Sequence, residues 1–220
     1  MRAILLPVKN FLEAKTRLAA HYSPAARANL AAALCEDMFR VVARVRGIDR
    51  VFVVTGEPYA LTRARKNDWE TIVENEQVSE SHSVDAASHL CTELGVRALL
   101  RLPSDIPLAQ PADIEAIFGQ LAEGQYCVMI PSRDGTGTNA LLRAPPELFP
   151  SHFGPNSFAL HRKEAHACCV QIKILRNPRV ELDIDDYDDL LALKERIPPG
   201  SKTAQWLHEN LYYGVTQSAE

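Results

Sequence analysis

The sequence predicts an α/β protein: a doubly wound, mostly parallel sheet with a small inserted β segment. Three observations carry this. Short runs rich in β-branched residues and leucine, such as "AILLPV", "RVFVVT" and "VRALLRLP", alternate with segments of helical period. Glycine and proline mark the changes from one period to the other. After residue 132 the alternation breaks into a glycine loop, a short strand "TNALLR" and the proline-rich "APPELFP".

Each element follows in order. "AILLPV" is a strand starting almost at Met1. Ser23 and Pro24 form an N-cap and first-turn signal. Leu30, Ala33, Leu34, Met38, Val41, Val42 and Val45 then make an apolar helical stripe, with Gly47 as its expected end. "RVFVVT" predicts a strand over 50–55 and "ETIVEN" a weaker one. A helix "SVDAASHLCTELG" stops at Gly95, followed by the strand "VRALLRLP". "QPADIEAIFGQLAEG" is a helix bounded by Pro111 and Gly124, and "QYCVMIPS" a strand. Beyond the break come a helix "NSFALHRKEAHACC" capped by Asn156 or Ser157, late strands "VQIKIL" and "RVELDI", and a closing helix "DDYDDLLALKERI". Residues 1–200 read as a single domain, and 201–220 as a tail with one short helix and a polar end expected to fray.

With 220 residues, 46% hydrophobic and 24% charged, the chain has the make-up of a soluble globular protein. A net charge of −4 gives no bulk electrostatic case for nucleic acid or an anionic membrane. The first apolar run is too short for a signal-peptide core and none approaches a membrane span, so a cytoplasmic location is expected. Cys35, Cys91, Cys127, Cys168 and Cys169 show no metal-ligand spacing and read as reduced thiols.

In a doubly wound sheet, ligands bind at the carboxyl ends of the strands. Lys9, Lys15 and Arg17 follow the first strand. They suit a polyphosphate and the charge that develops on a leaving pyrophosphate, or else form a solvated basic loop. Neither GxxxxGK[ST] nor GxGxxG is present. Asp105 lies after the fourth strand, between Pro103 and Pro107. Asp183 and Asp185 fall on one face of "ELDIDD" as that strand is expected to end. With Asp105 and phosphate oxygens they would form a hard site for Mg²⁺, the alternative being helix capping by the acids. "SRDGTGTNALL" offers backbone N–H groups and threonine hydroxyls to an anion, or is a plain loop. "FGPNSFALH" opens a helix whose free N–H groups can bind phosphate or carboxylate, or be simply capped. His161, one turn in, reads as a surface or core histidine, and Asp85 as a helix cap.

Taken together and in order, "PVK…AKTRL", "LPSDIPL", "DGTGTNALL", "FGPNSFALH" and "LDIDDYDDL" resemble the CofC-type guanylyltransferases of deazaflavin coenzyme F-420 biosynthesis, over residues 3 to 193. The resemblance implies a GT-A-like nucleotidyltransferase fold and transfer of GMP from GTP to a phosphorylated three-carbon acid, with release of pyrophosphate. The acid would be 2-phospho-L-lactate, phosphoenolpyruvate or 3-phospho-D-glycerate. It also implies Asp105 and Asp183 as metal ligands, to which the strand alternation adds Asp185. Thr138, Gly154 and Ser157 would hold the acceptor. Pro7, Lys9, Lys15 and Arg17 would meet the nucleotide, with Asp85 in the segment lining the base pocket. Cytidylyltransferases and molybdenum-cofactor guanylyltransferases of the same fold are the alternative, weakened by "LPVKNFLEAKTRL" where they carry a glycine-rich loop. A homodimer is kept as an expectation.

Overall fold

A computed structural model describes residues 1–76 and 78–212 of the chain. Seven strands, β1 (Arg2–Val8), β2 (Arg50–Thr55), β3 (Glu70–Val73), β4 (Ala98–Arg101), β5 (Tyr126–Pro131), β6 (Thr138–Ala144) and β7 (Gln171–Ile174), form one sheet in the order β3-β2-β1-β4-β6-β5-β7. β6 runs antiparallel to both neighbours, while the other pairings are parallel. The inserted β segment is thus one strand threaded into the main sheet rather than an appendage.

Alternation along β1 shows how the sheet is covered. Ile4 and Leu6 point to one face and Ala3 and Leu5 to the other, all fully buried. On the first face lie α1 (Pro24–Val42) and α4 (Pro111–Phe118), through Met38, Phe39, Ile114 and Ile117. On the second lie α3 (Glu80–Glu93), through Val84, Ala87 and Cys91, and α5 (Ser157–Ala167), through Ala165. Burial on both faces is why the strands read as continuous apolar runs.

Several boundaries differ from expectation. α1 ends at Val42, where the Ala43 N–H returns to Phe39 O, and the chain turns through Gly47 at φ 72° only later. α2 (Pro58–Lys66) buries only Ala60 and Ala64, a stripe too thin to register as a helical period. α4 stops at Phe118, six residues before Gly124. "RVELDI" is not a strand. Its carbonyls at Val180 and Glu181 accept from the Asn139 side chain at 2.9 and 3.0 Å, so the segment crosses the sheet's end instead of joining its ladder.

α6 (Tyr187–Lys194) begins with a capping box between Asp186 and Asp189. α7 (Lys202–Leu207) runs into a π turn at His208–Tyr212. Trp206 Nε1 donates to Ala26 O at 3.0 Å, and the Lys202 and Thr203 N–H groups donate to Asp37. Trp206, Leu207 and Leu211 pack with Leu30 and Leu34 of α1. The segment after residue 200 is therefore docked on the main body as far as it is described, and the polar end expected to fray lies outside the described residues.

Candidate active site

The carboxyl ends of β1 and β4 open into a cleft of about 510 Å³. That volume is within the usual range for a small-molecule site. The loop after β1 is built from two 3₁₀ turns, Phe11–Glu13 and Thr16–Leu18, the first capped by Asn10 accepting from the Leu12 N–H. Between them Lys15 takes a left-handed conformation (φ 56°), which turns its side chain inward. Arg27 of α1 donates to Ala14 O at 3.0 Å and pins this loop to the body.

Asp105 sits in the loop after β4, its carbonyl accepting from the Ile184 N–H at 3.2 Å. One carboxylate oxygen pairs with Lys15, whose side chain is 7% exposed. The other, Oδ1, is buried with no partner among the described residues. Lys15 also lies 3.5 Å from Asp185, and Arg17 lies 3.3 Å from that carboxylate. Burial disfavours the Lys15 ammonium, but Asp105, Asp185 and Asp183 outweigh it and hold its pKa above the ordinary range. Asp183 is pushed up to about 6 by its own burial, then by the charges of Asp105 and Asp185. Asn139 Nδ2, 3.2 Å from Asp183, ties this acidic segment to β6.

Across the cleft, Thr138 begins β6 and Ser157 begins α5. Ser157 Oγ lies 3.3 Å from Thr138 Oγ1, and His161 Nδ1 lies 3.0 Å from the same oxygen. The loop 132–137 is less open than its glycines suggest. Asp134 accepts from the Ser132 hydroxyl and from the N–H and hydroxyl of Thr136, which hold its pKa down to about 2. The Gly137 N–H donates to Ser132 Oγ at 2.7 Å, so the donors expected to cradle an anion are spent within the loop. At the head of α5, the Ser157 N–H returns to Gly154 O and the Phe158 N–H to Thr136 O, so those two groups are not free for an anion either.

Ten of the site residues singled out from the sequence line this cleft: Pro7, Lys9, Lys15, Arg17, Asp105, Thr138, Gly154, Ser157, Asp183 and Asp185. Asp85 does not. Its carboxylate accepts from the Ser151 N–H at 3.0 and 3.1 Å and lies 3.5 Å from the buried Arg143 guanidinium. It faces the covered side of the sheet because Arg143, 2% exposed, has few other ways to offset its charge. Lys9 and Arg17, with side chains 60% and 69% exposed, are free to reach a ligand in a way that Lys15 is not.

Sequence reasoning missed Arg101 and Glu80, which pair at the cleft wall. Arg101 stacks 4.1 Å over the Phe153 ring and donates to Thr138 O at 3.2 Å. An arginine inside the apolar run "ALLRLP" was the available signal. It also missed that Asn139 and His161 serve the site.

The fold, with a cleft at its strand ends, is one that solved nucleotidyltransferases share. A "putative nucleotide-diphospho-sugar transferase" from Desulfovibrio desulfuricans superposes with a TM-score of 0.75 at 17% identity, covering 96% of this chain and 95% of that one. A nucleotidyl transferase from Methanothermobacter gives 0.63 at 15%, covering 96% and 99%. Within that class, residues 1–210 match the family model described as "Guanylyl transferase CofC like", and the chain belongs to this family. It is 36% identical over 194 residues to a "Phosphoenolpyruvate guanylyltransferase" of Conexibacter woesei, covering 88% of this chain and 87% of the relative. It is 28% identical over 186 residues to a "2-phospho-L-lactate guanylyltransferase" of Methanothermobacter thermautotrophicus, covering 84% and 81%. The five-motif resemblance and the guanylyl transfer it implied therefore hold.

Proposed function

We propose that the protein transfers GMP from GTP to a phosphorylated three-carbon acid and releases pyrophosphate, as a step of coenzyme F-420 biosynthesis. The observation that carries this reading is one cleft with two chemically distinct halves. A cationic and acidic half holds Lys9, Lys15, Arg17, Asp105, Asp183 and Asp185, and a hydroxyl-bearing half holds Thr138 and Ser157.

The reaction is an in-line exchange at the α-phosphorus of GTP. An acceptor phosphate oxygen forms the new P–O bond while the bond to the β-phosphate breaks. The acceptor phosphate is already ionised, so no general base is required. Lys9 and Arg17 stand where they can meet the departing pyrophosphate and offset its growing charge. Thr138, supported by Ser157, orients the acceptor, which removes much of the entropic cost of bringing two anions together.

The acidic residues fit a divalent cation. Asp105 Oδ1 is a buried oxygen without a partner among the described residues, and Asp183 resists ionisation among its neighbours. Among the described residues no group of three or more His, Cys, Asp or Glu side chains is arranged to hold a metal ion by itself, so phosphate oxygens would have to supply part of the ligand set. Asp105 and Asp183, with Asp185 beside them, are the residues that would hold Mg²⁺, whose contribution when bound is to neutralise phosphate charge. Lys15, held by Asp105 and Asp185, would offer its ammonium to the triphosphate from the same acidic cluster.

No helix among the described residues is long and apolar enough to cross a membrane, and the five cysteines are free. Pyrophosphate release, measured with GTP and CTP against phosphoenolpyruvate, 2-phospho-L-lactate and 3-phospho-D-glycerate, tests the reading. Release should require GTP, one of the acids and Mg²⁺. Equal rates with CTP, or release without any acid, would overturn it.

A further inference from the structure

His161 is completely buried, one turn into α5, behind the hydroxyl-bearing half of the cleft. Its Nε2 lies 2.8 Å from the backbone N–H of His152. A backbone N–H can only donate, so Nε2 must accept and carries no proton. The ring's single proton is then on Nδ1, which faces Thr138 Oγ1 at 3.0 Å and donates to it. Burial, together with the charges of Arg143 and Arg101, pushes the His161 pKa down to about 3, so the ring stays neutral.

Ser157 is 2% exposed, and its hydroxyl has no acceptor but Thr138 Oγ1 among the described contacts, so its proton is spent there too. Thr138 Oγ1 has two lone pairs and receives two donors. What remains is its own O–H, on a residue that lines the cleft.

We propose that His161 is a positioning residue that makes Thr138 a donor-only hydroxyl, so that this point of the cleft takes a ligand oxygen rich in lone pairs, the carboxylate or phosphate of the acceptor acid. The same imidazole fixes the acceptor loop. By accepting from His152, it anchors the segment that runs through Gly154 to Ser157 onto the start of β6. This rests on the assignment of Thr138 to the acceptor half of the cleft.

Two measurements test it. In wild-type protein with ¹⁵N-labelled histidine, long-range ¹H–¹⁵N correlation should show His161 as the neutral Nδ1–H tautomer at neutral pH. An Nε2–H tautomer or an imidazolium overturns the proposal, and this reading needs no variant to fold. In steady-state assays with whichever of the three acids releases pyrophosphate, Thr138→Val and His161→Phe should each raise acceptor KM roughly fivefold or more, with kcat and the GTP KM within about twofold. Thr138→Ser, which keeps the hydroxyl, should recover most of the acceptor affinity that Thr138→Val loses. The double variant should fall short of the sum of the two single effects, because part of the imidazole's effect runs through that hydroxyl. A wild-type acceptor KM in His161→Phe alongside a raised one in Thr138→Val overturns the positioning role and leaves the acceptor half standing. If Thr138→Val changes the GTP KM instead, the acceptor assignment fails, whatever tautomer is found.

Discussion

Lys15 and Asp105 stand 90 residues apart in the chain, yet they form a buried ion pair between the loop after β1 and the loop after β4. The pair joins two of the five motifs, and it places an ammonium where the proposed reaction calls for a divalent cation. Removing the lysine and removing the metal should therefore have different consequences.

Lys15→Met leaves Asp105 partly buried and without its main partner. It should lower stability by about 2–3 kcal/mol, below the full cost of breaking a buried pair because Asp105 keeps some solvent contact. Arg17→Ala removes an exposed charge and should change stability by less than about 0.5 kcal/mol. Both should raise the GTP KM and leave the order of acceptor preference unchanged. Denaturant unfolding and steady-state kinetics separate the two effects. A Lys15→Met protein as stable as wild type would contradict the buried pair.

Asp183 makes a pH prediction. Its folded pKa of about 6 lies above the ordinary 3.8, so between these values the folded protein holds a proton that the unfolded chain has released. In metal-free protein this site therefore costs stability progressively as pH rises from about 4 to about 6, and the cost is fully present above that. Asp183→Asn keeps an oxygen for Asn139 but cannot ionise. It should be more stable than wild type by about 2 kcal/mol at pH 7 and equal to it below pH 4, while losing turnover. Equal midpoints at pH 7 would show that the carboxylate is not strained.

Chelation tests the metal reading directly. EDTA should abolish pyrophosphate release and added Mg²⁺ restore it, and Asp105→Asn should lose at least about a hundredfold in kcat at saturating Mg²⁺. Near wild-type turnover in that variant, or in metal-free enzyme, would exclude these acids as metal ligands.

Asp85 should behave as a structural residue. Asp85→Asn retains an oxygen for the Ser151 N–H but withdraws charge from Arg143, which still has Ser88 and the Phe149 carbonyl as partners. A loss of about 1 kcal/mol is expected, with GTP KM and base preference unchanged. A shift in GTP-against-CTP preference would bring Asp85 back to the nucleotide.

Much of the architecture was legible in the chain because its signals are local. The apolar runs of β1, β2 and β4 are continuous because both faces of the sheet are covered, and Ser23-Pro24 caps α1 through a hydroxyl three residues from the N–H it serves. The strand-end rule then picked out Asp105, and the family resemblance Thr138, without any contact being known. What the chain could not disclose depends on partners distant in sequence. "RVELDI" has the composition of a strand, and only the Asn139 side chain, some forty residues away, takes the carbonyls a ladder would have used. The glycines of "DGTGT" suggest open donors, and only the folded loop shows Asp134 and Ser132 consuming them. Asp85 pairs with a buried arginine on another element. His161 gained its role from the hydrogen bonds at its two nitrogens. Local spacing determines which segments are helices and strands, because backbone preference and burial act over a few residues. Which polar group spends its hydrogen bonds on which partner is decided by the tertiary structure, because desolvation forces each buried donor to whatever acceptor the packing brings within 3 Å.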